Sequence, residues 1–151
     1  MQQPILLGVS EGREQEAVTR LSRVGFDHTL GYLQGGVAAW QAAGKDLVAT
    51  QSVSAEALEA ALDRQPLVYD VRKPGEFNKG HLEMAQHTPL SQLNDYLDAF
   101  PKDQPFYVHC AGGYRSVIAA SILEKRGIDG AINVEGGFKA MKNTTMPIVT
   151  D

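Results

Sequence analysis

Pro105-Phe106-Tyr107-Val108-His109-Cys110-Ala111-Gly112-Gly113-Tyr114-Arg115-Ser116 is the stretch that decides the fold. An apolar run enters the only cysteine of the chain, and a helical pattern, Val117 to Arg126, leaves it. The order predicts a strand ending at Cys110 and a helix beginning near Ser116. In such a unit the first free N–H groups of the helix point back into the loop. The positive end of the helix favours thiolate over thiol, and an ordinary thiol pKa of about 8.5 falls to roughly 7 or below in this setting. Gly112 and Gly113 let the backbone turn tightly and aim the amides of residues 111–116 at one point. Arg115 adds a planar cationic fork for an oxyanion. The helix dipole opposes a cation at that end, so Arg115 reads as functional rather than as surface charge. Ser116 either donates to the thiolate or caps the helix. Tyr114 either lines the entrance or packs on the surface. His109 precedes the nucleophile on the strand, faces the other side, and reads as structural. The stretch predicts a nucleophile, Cys110, in an anion cradle of Ala111, Gly112, Gly113, Tyr114, Arg115 and Ser116.

The same pattern occurs twice. One segment runs from Gln3 to Trp40 and the other from Gln104 to Met141. Gly12-Arg13 matches Tyr114-Arg115, Gly25-Phe26-Asp27 matches Gly127-Ile128-Asp129, and Leu33-Gln34-Gly35-Gly36 matches Val134-Glu135-Gly136-Gly137. Each reads strand, loop, amphipathic helix, short strand, Gly-Gly, helix. The first copy carries Gly8-Val9-Ser10-Glu11 where the second has Cys110-Ala111-Gly112-Gly113. With no thiol, and with Glu11, Glu14 and Glu16 around the loop, it is expected to be catalytically dead.

The second copy has a preamble that the first lacks. Ser54 reads as the N-cap of a helix over 55–62. Leu67-Val68-Tyr69 reads as a buried strand ending at Asp70, Gly80-His81-Leu82 opens a further short element, and 90–100 reads as a helix with Leu93, Tyr96, Leu97 and Phe100 on one face. Alternating strands and helices over 50–151 predict an α/β domain with a mainly parallel sheet. Residues 1–47 read as the second half of another such domain, with a junction from Gly44 through Ser52. Two strands do not make a stable sheet alone. The apolar residues Ile5, Leu7, Val18, Leu21, Leu33 and Trp40 therefore need a cover, on the second domain or on another chain, a homodimer included.

Apolar content of 43% and charged content of 21% are those of an ordinary globular protein. A net charge of −4 with no basic stripe argues against nucleic acid as a partner. The apolar runs are too short for a membrane span of about 20 residues. The N-terminus reads without a signal-peptide pattern, and a lone cysteine suits a reducing compartment, so a cytoplasmic location is expected. His81 and His87 lack companions at ligand spacing, so neither metal nor cofactor is expected.

Three motifs together resemble the rhodanese (sulfurtransferase) family over nearly all of 50–151. Asp70-Val71-Arg72-Lys73-Pro74-Gly75-Glu76-Phe77 followed by Gly80-His81-Leu82 resembles its first signature. Residues 110–116 resemble its active-site loop, and Asn133-Val134-Glu135-Gly136-Gly137-Phe138 its closing signature. Residues 25–47 resemble that closing signature a second time. The resemblance implies a five-stranded parallel sheet flanked by helices, preceded here by a partial, degenerate copy. The tandem is similar to the C-terminal part of metallo-β-lactamase–rhodanese fusion proteins, although the metal-binding motifs of the hydrolase are absent from this sequence. Met84 and His87 stand where the first signature usually has Gly and Asn, and Met141 where the closing helix often has Trp.

The resemblance implies sulfur transfer: Cys110 takes a sulfane sulfur from thiosulfate or a persulfide and passes it to a thiol or cyanide. Small sulfur donors and external thiol acceptors are then the partners. Asp70 and Arg72 end a parallel strand, the edge where open α/β sheets bind ligands. With Glu76 they read first as an ion-pair network pinning the loops, Arg72 adding positive potential to the pocket. Two other readings stand beside this one. A cysteine phosphatase also places His-Cys before a loop and an Arg, but its loop is one residue longer than the four residues Ala111 to Tyr114. A non-enzymatic sulfur-relay or interaction module is the third.

Overall fold

The computed structural model describes residues 3–150; Met1, Gln2 and Asp151, at the outer ends of the two expected segments, lie outside them. The chain divides into two compact units, one ending at Val48 and one beginning at Ala49.

The second unit is built on five parallel strands. In chain order these are β3 (Gln51–Val53), β4 (Val68–Asp70), β6 (Ala85–His87), β7 (Phe106–His109) and β8 (Ala131–Val134), and they lie side by side as β3-β8-β7-β4-β6. The α/β architecture is the expected one. Gln51 and Ser52, placed in the junction by sequence, instead open an edge strand: Ser52 and Val53 pair with Asn133 and Val134 of β8. The two-residue strands β5 (His81–Leu82) and β9 (Ile148–Val149) form a separate antiparallel pair.

Alternation along each strand sorts the side chains onto two faces. Tyr69, Val71, Phe106, Val108 and Cys110 face α5 (Tyr114–Lys125), where Ala119 and Leu123 meet them. Val68, Leu82 and Val134 join Leu58 of α3 (Ala55–Glu59) and Met141 of α6 (Gly137–Met141) on the other face. Each fully buried Leu, Val or Phe contributes about 1.5–3 kcal/mol, so a sheet covered on both faces outweighs the ordering of its short strands. Met141 is fully buried where the family often has Trp, and Met84 packs partly buried against the same cluster.

Three local expectations change. Ser54 does cap α3, accepting from the Ala57 amide, but that helix ends at Glu59 and a separate 3-10 turn follows over Leu62–Arg64. Residues Leu90–Ala99 form a 3-10 helix rather than an α-helix. Asn94, Asp95 and Asp98 there are short polar side chains that compete with backbone helix bonds. Leu93, Leu97 and Phe100 turn inward while Tyr96 stays exposed. Helix α5 begins at Tyr114, two residues before the expected Ser116, because Gly113 in the left-handed region (φ 102°) already reverses the chain.

The first unit contains β1 (Ile5–Leu7), α1 (Glu14–Ser22), β2 (Thr29–Tyr32) and α2 (Gly36–Ala42). Its two strands are parallel neighbours. Leu7 is buried, whereas Leu6, Leu30, Tyr32, Val37 and Trp40 are exposed.

Candidate active site

Strand β7 ends at His109, and the parity of the strand sends Cys110 toward α5 and His109 the opposite way. Cys110 is only 1% exposed. The Gly113 amide donates to its Sγ at 3.2 Å, and the amides of Gly112 and Ser116 point at the same sulfur. The Ser116 hydroxyl lies 3.6 Å from Sγ. Burial pushes the thiol up, but the Ser116 hydroxyl and the three amides outweigh it, and the pKa falls below the ordinary thiol value. Of the expected cradle, the backbone of Gly112, Gly113 and Ser116 thus meets the sulfur. Ala111 instead offers its carbonyl to the Lys139 amide, and Tyr114 is 80% exposed at the first turn of α5.

The loop is held from behind by the Gly-Gly turn before α6. The Phe138 amide donates to the Cys110 carbonyl at 2.7 Å and the Lys139 amide to that of Ala111 at 3.1 Å. Gly137 has φ of 52°, and a Cβ there would fall 2.2 Å from the Cys110 carbonyl oxygen. Only glycine allows this approach, so the closing signature is a clamp on the Cys110 loop.

Arg115 is not a free cation. Both terminal nitrogens donate to Glu76, at 2.7 and 2.8 Å. The Arg115 hydrogen bond holds the Glu76 carboxyl down at about 2, against the pull of its partial burial. Two of the five guanidinium N–H donors are used, and the group also interacts with Cys110. A cavity of about 200 Å³ opens beside it, with Val71, Arg72, Pro89 and Leu90 in its wall.

The expected network of Asp70, Arg72 and Glu76 is two separate pairs. Arg72 donates through Nε to Asp70 at 2.8 and 2.9 Å and through Nη2 to the Gly80 carbonyl at 2.8 Å, and its guanidinium lies 3.9 Å from the Phe138 ring centre. Both side chains are buried, and they tie the end of β4 to the first-signature loop and to α6. His109 lies fully buried with Nε2 3.7 Å from Asp70; burial lowers its pKa more than Asp70 raises it, so the ring is neutral. His81 and His87 stack on the two sides of Phe77, the last residue of α4 (Pro74–Phe77), at 3.7 and 4.2 Å between ring centres.

Two residues of the site escaped the sequence reading. Glu76 was grouped with Asp70 rather than with Arg115, 39 positions away. Asn133 accepts from Ser116 Oγ at 2.7 Å and donates to Ser52 Oγ at 3.1 Å. Its signal was available: it is the one polar residue of β8, and a buried amide in a central strand needs partners.

The rhodanese-like domain family model matches residues 54–144, which include both signatures, the Cys110 loop and the Gly-Gly clamp. The chain belongs to the rhodanese-like family. This rhodanese-like chain is 41% identical over 76 residues to an uncharacterized protein, YqhL, of Bacillus subtilis, a match covering 50% of this chain and 60% of that protein. It is 31% identical over 78 residues to the thiosulfate sulfurtransferase GlpE of Stutzerimonas stutzeri, covering 52% of this chain and 72% of the relative. A crystal structure of a rhodanese-like domain protein from Staphylococcus aureus superposes with a TM-score of 0.61 at 33% identity, over 67% of this chain and all of that one. Among the described residues, no helix is long and apolar enough to cross a membrane.

Proposed function

We propose that the second unit is a sulfurtransferase whose nucleophile is Cys110. The convergence of three backbone amides and one hydroxyl on a single buried sulfur carries this reading. The relationship to proteins named thiosulfate sulfurtransferase supports it. Thiolate Sγ attacks the outer sulfur of thiosulfate, the S–S bond breaks, and sulfite leaves with its electron pair. The product is a Cys110 persulfide whose terminal charge lies within reach of the same amides. Sulfite oxygens are met by the guanidinium N–H groups of Arg115 that Glu76 leaves over. An external thiolate or cyanide then attacks the outer persulfide sulfur and returns Cys110 as thiolate. A persulfide donor enters by the same exchange, with a thiolate leaving in place of sulfite.

The first unit, in this reading, is a partial counterpart without the thiol, and its exposed apolar residues are the surface by which it meets a partner or a second copy. The test of the activity is thiosulfate-to-cyanide turnover by the wild type and by Cys110→Ala, with p-nitrophenyl phosphate as a parallel substrate. Turnover lost in the variant supports the reading. Phosphate ester cleavage with thiosulfate ignored overturns it in favour of a phosphatase.

A further inference from the structure

A chain of side chains runs from the sheet edge to the nucleophile: Ser52 on β3, Asn133 on β8, Ser116 on α5, then Cys110. Ser52 and Asn133 are directly paired across the two strands. Asn133 is 4% exposed and Ser116 fully buried, so neither has water to exchange partners with.

Proton counting sets the direction of the chain. Ser116 owns one hydroxyl proton and has three acceptors in reach: Asn133 at 2.7 Å, the Gly113 carbonyl at 2.9 Å and Cys110 Sγ at 3.6 Å. With the Asn133 oxygen toward Ser116, the amide competes with the sulfur for that proton. Turning the amide over exchanges N and O without moving a heavy atom of its neighbours. Its NH2 then donates to Ser116, its oxygen accepts from Ser52, and the Ser116 proton is released to the sulfur. A thiolate, as the only charged acceptor of the three, draws the stronger hydrogen bond and favours this second orientation.

We propose that Asn133 is a positioning residue for the nucleophile: when Cys110 is a thiolate, the Asn133 amide donates to Ser116 and thereby directs the Ser116 proton onto Sγ, with Ser52 donating to Asn133 from the sheet edge. This rests on Cys110 being the nucleophile of the second unit. Asn133 carries no charge, so replacing it leaves the field of Arg115, Glu76, Asp70 and Arg72 around the loop as it was.

The experiment is a titration of Cys110, the only cysteine of the chain, by the ultraviolet absorbance of its thiolate in the full-length protein. The variants are Asn133→Leu, Ser52→Ala, Ser116→Ala and the Asn133→Leu/Ser116→Ala double. Asn133→Leu is expected to raise the midpoint by about half a pH unit, about a threefold loss of thiolate below it. Ser52→Ala, at an exposed edge position that does not threaten folding, shifts it the same way by less. In the Ser116→Ala background Asn133→Leu adds nothing, because the effect passes through the hydroxyl. A midpoint lowered by Asn133→Leu means that the amide withholds the Ser116 proton and overturns the proposal. So does an equal shift with and without Ser116. If Asn133→Leu fails to fold, an unmoved midpoint in Ser52→Ala overturns it alone. A wild-type midpoint at the ordinary thiol value contradicts the nucleophile reading itself, whereas a low wild-type midpoint unmoved by the variants contradicts only the role of Asn133.

Discussion

The two units run through the same order of strand, loop, helix, strand, Gly-Gly and helix, and they treat the loop differently. In the second unit the Gly-Gly turn presses on the loop, with the Cys110 carbonyl 2.2 Å from where a Gly137 Cβ would stand. In the first unit the matching Gly36 has its nearest neighbour, the Val9 carbonyl, at 3.9 Å from that point. A cleft of about 420 Å³ opens there, lined by Gly8 to Glu11 and Gly35 to Ala38. The arginines diverge in the same way. Arg115 reaches a distant glutamate, Glu76, whereas Arg13 pairs with Glu16 on its own helix. What separates the two loops is therefore not the strand–loop–helix frame. It is the thiol, the clamp behind it and the long-range partner of the arginine.

The largest effect that sharpens this contrast is on chemistry. Cys110→Ala should reduce sulfur transfer by at least about a thousandfold, as expected when a nucleophile is removed. Val9→Cys, which puts a thiol at the position of the first loop that matches Cys110, should restore none of it, because no clamp presses there. Recovery of turnover in the Val9→Cys/Cys110→Ala double variant would break the comparison.

Next is the clamp. Gly137→Ala meets both a positive φ and a carbonyl oxygen, and should cost about 3 kcal/mol or more of unfolding free energy. Gly36→Ala meets only the positive φ and should cost about 1 kcal/mol. Denaturant melts of the two variants compare them directly, and equal losses would mean that the clamp is not distinctive.

The Arg115–Glu76 pair gives a pH signature. Glu76 is held near 2 in the folded protein, below its ordinary 4.5, so its contribution is present above that ordinary value and is lost as pH falls toward 2. With 37% of the Glu76 side chain exposed, solvent screening reduces the expected contribution to about 1 kcal/mol. Glu76→Gln should therefore lose about that much at neutral pH, and the gap to wild type should close near pH 2. A gap that stays constant with pH would deny the pair this role. The smallest effect is at Tyr114, where exposure predicts that Tyr114→Ala changes stability by less than about 0.5 kcal/mol.

Much of this was legible in the sequence. The parity of Phe106 to Cys110 placed the thiol and His109 on opposite faces, and glycine spacing located both turns. The helix start was misplaced because Gly113 in the left-handed region ends the loop sooner than hydrophobic periodicity shows. Glu76 and Asn133 were missed as partners of Arg115 and Ser116 for a common reason. Each pairing joins residues far apart in the chain, and only the sheet order brings them together. Ser52 was hidden by the shortness of β3, three residues in a polar stretch.

The central claim is that Cys110 accepts sulfur. It is tested most directly by intact-protein and peptide mass spectrometry after exposure to thiosulfate or glutathione persulfide. The account predicts a gain of one sulfur atom on the peptide that carries Cys110, reversed by cyanide and absent in Cys110→Ala. An unmodified Cys110 with either donor would contradict it.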